Sequence, residues 1–312
     1  MARFFAVRLA RALLTIAMVV TFAFIVLRAS GDPARAMLSP EAPAAAVEAF
    51  RRAWGLDAPL WVQFAKYLLA IVHGDLGQSM RDGRGAVTVV AERIPVTLML
   101  TVPALVLNLL LGIPAGIYAA LKRDTLSDRL VMALAVAGFT VPSFVLGLLL
   151  VLAFAVELSW FPSGGTGNLR HMVLPIVTLG LGGAAVLARF TRSAMLEVLG
   201  QPYIRTASAK GAPWHRVVTG HALPNAAIPV VTIVGFMVGN LIAGTVLVES
   251  VFSWPGLGSL LVVSVVSRDL AVVQCILLIV AAAMIVTNLA VDLLYGVLDP
   301  RLRDTSYPAG GA

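Results

Sequence analysis

Chemistry needs reactive side chains brought together, and this sequence supplies few of them. The four histidines are scattered: His73 and His171 stand alone, while His215 and His221 share one polar stretch with no third ligand nearby, so no zinc-type spacing is spelled out. Lysine occurs only as Lys66, Lys122 and Lys210, and none follows a glycine. The GxxxxGK[ST] loop that cradles phosphates is therefore absent. Cys275, the single cysteine, lies in an apolar run and has no intrachain disulfide partner. No nucleophile–base pair is visible either, so the chain is expected to be no enzyme, to bind no metal and to hold no cofactor.

The polar interval 189–227 is read instead as a candidate contact surface. Within it, residues 203–210 are good helix formers, Gly211 stands at a natural C-cap position and Pro213 forbids continuation. The spacing predicts a short helix outside the membrane that presents Tyr203, Arg205, Thr206, Ala207, Ser208, Ala209 and Lys210. Ala207, Ser208 and Ala209 would admit close backbone approach, and Arg205 and Lys210 offer charge to an acidic partner. An ordinary basic loop has the same composition.

The elements that position this surface are membrane spans. The chain has 312 residues, 59% hydrophobic and 12% charged, with a mean hydropathy of +0.93. Soluble domains are roughly 25% charged. Apolar runs at 9–27, 95–121, 130–156, 172–188, 228–248 and 271–294 approach or exceed the roughly 20 residues that cross a hydrocarbon core. The fold expected is all-α and polytopic with six transmembrane helices, bent where Pro103, Pro114 and Pro142 fall. The first run is read as an uncleaved anchor rather than a signal peptide, because it is long and Arg28 follows it. The insert 31–93 carries helix-like pieces at 41–53 and 60–72. The second gathers Trp61, Phe64, Ala65, Leu68 and Ile71 near one face, for the membrane surface or for a small packed subdomain.

Charge sets the orientation. With the N-terminus inside, the inner segments hold 13 basic and 6 acidic residues, which is the whole net charge of +7, and the outer segments are neutral. Both termini and 189–227 are then expected in the cytoplasm and 31–93 outside, and the pI near 10.2 needs no nucleic-acid partner. Asn108, Thr140, Ser143, Asn240, Thr245 and Asn288 lie within the apolar runs. Polar groups there face other helices or a wet path. Asn108, Thr140, Ser143, Asn240 and Asn288 are the candidate path residues. Asp292 is expected to pair with an arginine near the inner end of the last span, and Trp254 of the WPGLG turn suits a membrane interface.

The order of residues adds a resemblance. RTASAKG (205–211) followed by HALPNA (221–226) resembles the "EAA" loop of permease subunits in bacterial ATP-binding-cassette (ABC) importers, in its dipeptide and oligopeptide version. Arg205 and Thr206 stand where the naming glutamate and alanine would be. GDPA (31–34), GLDAPLWVQF (55–64), GDLGQS (74–79), RIPVTLML (93–100), FPSGG (161–165), the run 174–199, VFSWPGLG (251–258) and NLAVDLLYGVLDPRLR (288–303) follow the same family in order. The resemblance, covering nearly the whole chain, implies a type I importer permease domain of the bacterial inner membrane. It implies, as partners, a second related permease, two cytoplasmic ATPases that handle ATP and Mg, an extracytoplasmic binding protein and membrane lipids. The loop helix would dock in an ATPase cleft and act as a lever. Peptides lead as cargo; nickel chelates, glutathione and oligosaccharides are carried by relatives. A secondary transporter or channel without ATPases is the alternative, opposed by the lack of a charged residue deep in the apolar runs.

Overall fold

The computed structural model describes residues 2–298 apart from 30, 39, 40 and 242. Among them there is no β-strand, only an isolated bridge between Gln78 and Gly85. The helices are α1 (Ala2–Ala29), α2 (Pro33–Met37), α3 (Ala44–Ala53), α4 (Leu60–Val72), α5 (Ala86–Leu121), α6 (Leu126–Thr140) and α7 (Ser143–Leu150). They continue with α8 (Arg170–Leu199), α9 (Pro202–Ala209), α10 (Trp214–Val217), α11 (Leu223–Gly239), α12 (Val246–Val251), α13 (Leu257–Val266) and α14 (Leu270–Leu298). Five stretches are long and apolar enough to cross a membrane: Ala10–Ala29, Ala86–Leu121, Arg170–Leu199, Trp214–Gly239 and Leu270–Ala290. A sixth crossing exists if one bent pair counts as a single span.

That pair departs from the straight run expected at 130–156. The chain bends by 101° between Leu126–Thr140 and Ser143–Glu157. Pro142 has no N–H to give and pushes the preceding residue out of the helical region, and Val141 is extended at φ −74°, ψ 120°. After α7 the helix widens into a π-helix over Val151–Glu157. The fourth run is longer than 172–188, because helix continues to Leu199. Its last turns bury Thr191, Ala194 and Met195 and expose Ser193 and Glu197, so the amphipathic pattern carries on past the apolar stretch. The fifth run is displaced. Helix extends back to Trp214 through a π-turn at Val218–Ala222, where Pro224 withdraws an N–H from the ladder. It stops at Gly239, followed by a 3-10 turn at Ala243–Thr245 and the short α12; Gly239, Asn240 and Gly244 are weak helix formers.

The described chain forms two compact units, one from residues up to Leu98 with Ser253–Ala283, the other from Met99–Phe252 with residues from Met284. In the first, Leu27 of α1 packs with Leu270 and Val273 of α14, and Leu56 and Met80 join them. Helix α4 uses its packed face: Phe24 of α1 meets Phe64 at 5.1 Å and Tyr67 at 6.1 Å, while Trp61 and Val72 stay exposed. The loop before α5 is pinned by the buried Asp269, which accepts from Ser79 Oγ at 2.5 Å and from the Met80 amide at 3.2 Å. Trp254 is buried rather than set at an interface. Its Nε1 donates to the Val96 carbonyl at 2.9 Å, Arg93 donates to the Pro255 carbonyl at 2.8 Å, and the Leu257 amide donates to Thr97 Oγ1 at 2.7 Å.

In the second unit, α8 lies against α5 through GIPAG (112–116). A Cβ at Gly112 would stand 2.8 Å from the Ala184 carbonyl oxygen, and one at Gly116 would collide with that of Ala188. Small residues four apart permit such backbone contact. Leu187, Met195, Ile204, Val217, Val218 and Ala222 form a continuous core beneath α9.

Candidate coupling surface and transport cavity

Helix α9 begins with Pro202 at its first position, where a missing N–H costs nothing. It ends as the sequence requires. The Gly211 amide reaches the Ser208 carbonyl at 3.0 Å, the Ala212 amide reaches that of Ala207 at 3.4 Å, and Gly211 takes φ +81°, the left-handed turn that glycine enters without strain. Ile204 is the anchor, buried in the core with Met195 and Val217. Ala207 also faces that core. Tyr203, Arg205, Thr206, Ser208, Ala209 and Lys210 are exposed, and Ser208 Oγ folds back onto the Ile204 carbonyl at 3.2 Å. A Cβ placed on Gly211 would meet nothing within 4 Å. The result is a short capped helix, fixed on one side and open on the other.

A cavity of about 400 Å³ lies within the same unit, between α5, α8 and α11. Asn108 and Asn240 both line it, joined by Thr101 and Thr245. Thr140, Ser143 and Asn288 do not; Thr140 and Asn288 are exposed and Ser143 half-buried elsewhere. Asp292 was expected to form a pair, but its side chain lies outside the described residues. Thr101 and Asn108 are 2% and 8% exposed, yet Thr101 Oγ1 and Asn108 Oδ1 have no hydrogen-bond partner. Leaving such a group unpaired costs about 1–3 kcal/mol. Helical spacing could have found Thr101, since residues 101, 104 and 108 share one face of α5. Glu249 had no such signal. It is fully buried, one residue beyond the apolar run expected to end at 248, and accepts from Thr245 Oγ1 at 3.2 Å.

No group of three or more His, Cys, Asp or Glu side chains suited to a metal ion occurs among the described residues. The charged contacts near α9 are structural: Arg192 Nε and Nη2 donate to Asp128 Oδ1 and Oδ2 at 2.6 and 2.7 Å.

Comparison with known proteins identifies the family and the fold. Residues 112–304 match the family described as binding-protein-dependent transport system inner membrane component, and residues 1–101 match the N-terminal model of such membrane components. The chain is 46% identical over 273 residues to the glutathione transport system permease protein GsiC of Escherichia coli, covering 88% of this chain and 89% of that one. The same figures hold for GsiC of Shigella dysenteriae. Among solved structures, a chain of the MetNI methionine ABC transporter in an inward-facing conformation superposes with a TM-score of 0.58 at 20% identity. The match covers 68% of this chain and 96% of that one, and it shows a shared fold.

Proposed function

The chain belongs to the binding-protein-dependent transport system inner membrane components, and we propose that it serves an importer of short peptides, glutathione among them. It is a multi-pass inner-membrane protein and the permease subunit of an ABC importer of the peptide and nickel type. Counting α6 and α7 as one broken span gives six crossings and both termini on one face, and the net positive charge of the segments on that face supports reading it as cytoplasmic. A second permease completes the path, two ATPases bind ATP and Mg, and an extracytoplasmic binding protein delivers cargo. This chain carries no cofactor and performs no hydrolysis.

The observation that carries the coupling role is α9: a capped helix seated on Ile204 with its other face open. Docked in an ATPase cleft, such an element moves as one body with the core beneath it. ATPase closure then tilts α8 and α11, whose residues share that core, and alters access to the cavity. The cargo assignment leans on the GsiC relatives, whose named substrate is a tripeptide.

The test is purification of the tagged chain from its native membrane, followed by reconstitution with the binding protein. Two ATPase chains and a second permease should accompany it, and vesicles should accumulate labelled glutathione or trialanine with ATP. A chain that purifies without ATPases and fills vesicles without nucleotide would be a secondary transporter, with buried Glu249 as its first suspect.

A further inference from the structure

We propose that α4 is a membrane anchor whose open face lies in lipid, at the boundary of headgroups and acyl chains beside the C-terminal end of α1. Neither the cargo nor the coupling role enters this inference. It needs only that α1 and α14 span the bilayer.

Helix α4 is apolar but has 13 residues, about 20 Å of helix. It is too short to cross a hydrocarbon core of about 30 Å. Its two faces differ. Phe64 and Tyr67 pack on Phe24 of α1, and the buried Gln63 beside them donates to the Leu56 and Ala58 carbonyls. Round the helix, Trp61, Ala65, Leu68, Leu69 and Val72 are all exposed. They fall within about 100° of arc, the width of an amphipathic stripe. Trp61 is 74% exposed and Val72 81%, so this chain leaves the stripe uncovered.

Depth decides what covers it. Phe24 lies five residues inside the Ala29 end of its span, about 7.5 Å along the axis. Tyr67 and Ala70 share a cavity wall with Gln274, which lies four residues inside the Leu270 end of α14, about 6 Å. Two spans thus place α4 below their own ends, at the depth of about 5–10 Å where amphipathic helices settle into a bilayer. The span it leans on carries an exposed apolar stripe of its own, Met18, Phe22 and Ile25. Ile25, next to Phe24, presents hydrocarbon at that same level.

The polar residues fit a lipid cover. The one charge on α4 is Lys66, which is exposed and stands on the flank of the stripe, about 60° beyond Leu69. There its stem runs along hydrocarbon while the ammonium reaches lipid phosphate. Trp61 is of the type enriched at that boundary. The segment between α1 and α5 is thereby tied to the bilayer at its middle.

The experiment uses the complete transporter in vesicles of phosphatidylethanolamine and phosphatidylglycerol, with a nitroxide on Ala65→Cys, Leu69→Cys or Val72→Cys. Cys275 is buried and stays unlabelled. Relaxation by oxygen, which concentrates in lipid, is compared with relaxation by a water-soluble nickel chelate, and the ratio reads depth. All three labels should favour oxygen and lie about 5–10 Å below the phosphates. A label on Glu48→Cys, exposed on α3, should favour the chelate. Chelate preference at the three α4 sites overturns the proposal, because the stripe is then in water. Exclusion of both reagents also overturns it and assigns the stripe to another subunit or to the binding protein. Loss of co-purifying subunits in all three variants has the same meaning, since a position facing lipid accepts a label without cost to assembly.

Discussion

Arg192 of α8 grips Asp128 of α6 with two parallel hydrogen bonds, at 2.6 and 2.7 Å. The carboxylate is 2% exposed and the guanidinium 24%. Asp128 sits in the first turn of α6, where Thr125 caps the helix and accepts from the Asp128 amide, and its Oδ2 also takes the Asp124 amide at 3.0 Å. One carboxylate thus closes the turn that enters α6 and ties it to α8, ten residues before α9 begins.

Asp128→Ala should therefore destabilise the protein by about 2 kcal/mol, less than the roughly 3–5 of a fully buried broken pair, because Arg192 keeps some solvent. Arg192→Lys, which loses the paired geometry, should cost less. Thermal unfolding in detergent reads both, and equal midpoints for Asp128→Ala and wild type would remove the clamp.

The Trp254 contacts give a second prediction. Trp254→Phe removes the indole bond that the Val96 carbonyl takes in addition to its helical one, and Thr97→Val leaves the buried Leu257 amide without its acceptor. Each should cost about 1–3 kcal/mol, and the double variant should cost less than the sum if the two bonds act as one staple. Denaturation midpoints across the four proteins test this.

These contacts also show what the sequence could tell. WPGLG announced a turn with an aromatic in it, but the partner strand of chain lay about 160 residues away, and no local pattern points that far. Membrane spans were legible because a hydrophobic run is a local property. Their ends were not, since α8 continues as an amphipathic helix and α11 stops at Gly239 on packing and turn chemistry. Asn108 and Asn240 stood out as polar residues in apolar runs, while Glu249 at the edge of one did not. Gly211 and Pro213 stated the end of α9 in plain residue types, and that end is where they placed it.

Orientation can be read by labelling. Ser79 is buried against Asp269, so exposed Arg81 is the better reporter. Arg81→Cys should react with an impermeant maleimide from outside sealed cells, and Ser208→Cys only after permeabilisation. Cys275 is buried and should stay silent. Both reporters reacting from outside would refute the placement of these two segments on opposite faces.

Acid should loosen the segment that follows α1. Burial raises the Asp32 carboxyl, but hydrogen bonds from Arg51 and the Ala34 amide outweigh it and hold the group below its ordinary range. A lowered folded value means the contribution is present above the usual carboxylate pKa of about 4 and is lost as pH falls through the folded one. Hydrogen exchange at the Ala34 amide, corrected for its intrinsic pH dependence, should thus be slow at pH 6 and accelerate below about pH 4. Asp32→Ala, which has no side-chain acceptor for that amide, should be fast at both. A protection factor independent of pH in wild type would contradict the assignment.

The decisive substitutions are at Gly211, because the structure separates two effects there. Its φ of +81° strains any residue with a Cβ, by roughly 1 kcal/mol or more, and a β-branched one most. The space around it is open, so a side chain has nothing in this chain to strike. Asparagine enters the left-handed region more readily than other residues. If Gly211 matters as the cap of α9, Gly211→Val should cut substrate-stimulated ATP hydrolysis in vesicles several-fold while Gly211→Asn stays near wild type. Should Asn be as damaging as Val, the open space is filled by the ATPase and the glycine serves the docking surface. Ala209→Asp, on the exposed face, should weaken ATPase co-purification, whereas Ala207→Asp should lower stability as well, because Ala207 packs on the core beneath. Wild-type coupling in Gly211→Val and Ala209→Asp together would leave α9 as an ordinary basic loop.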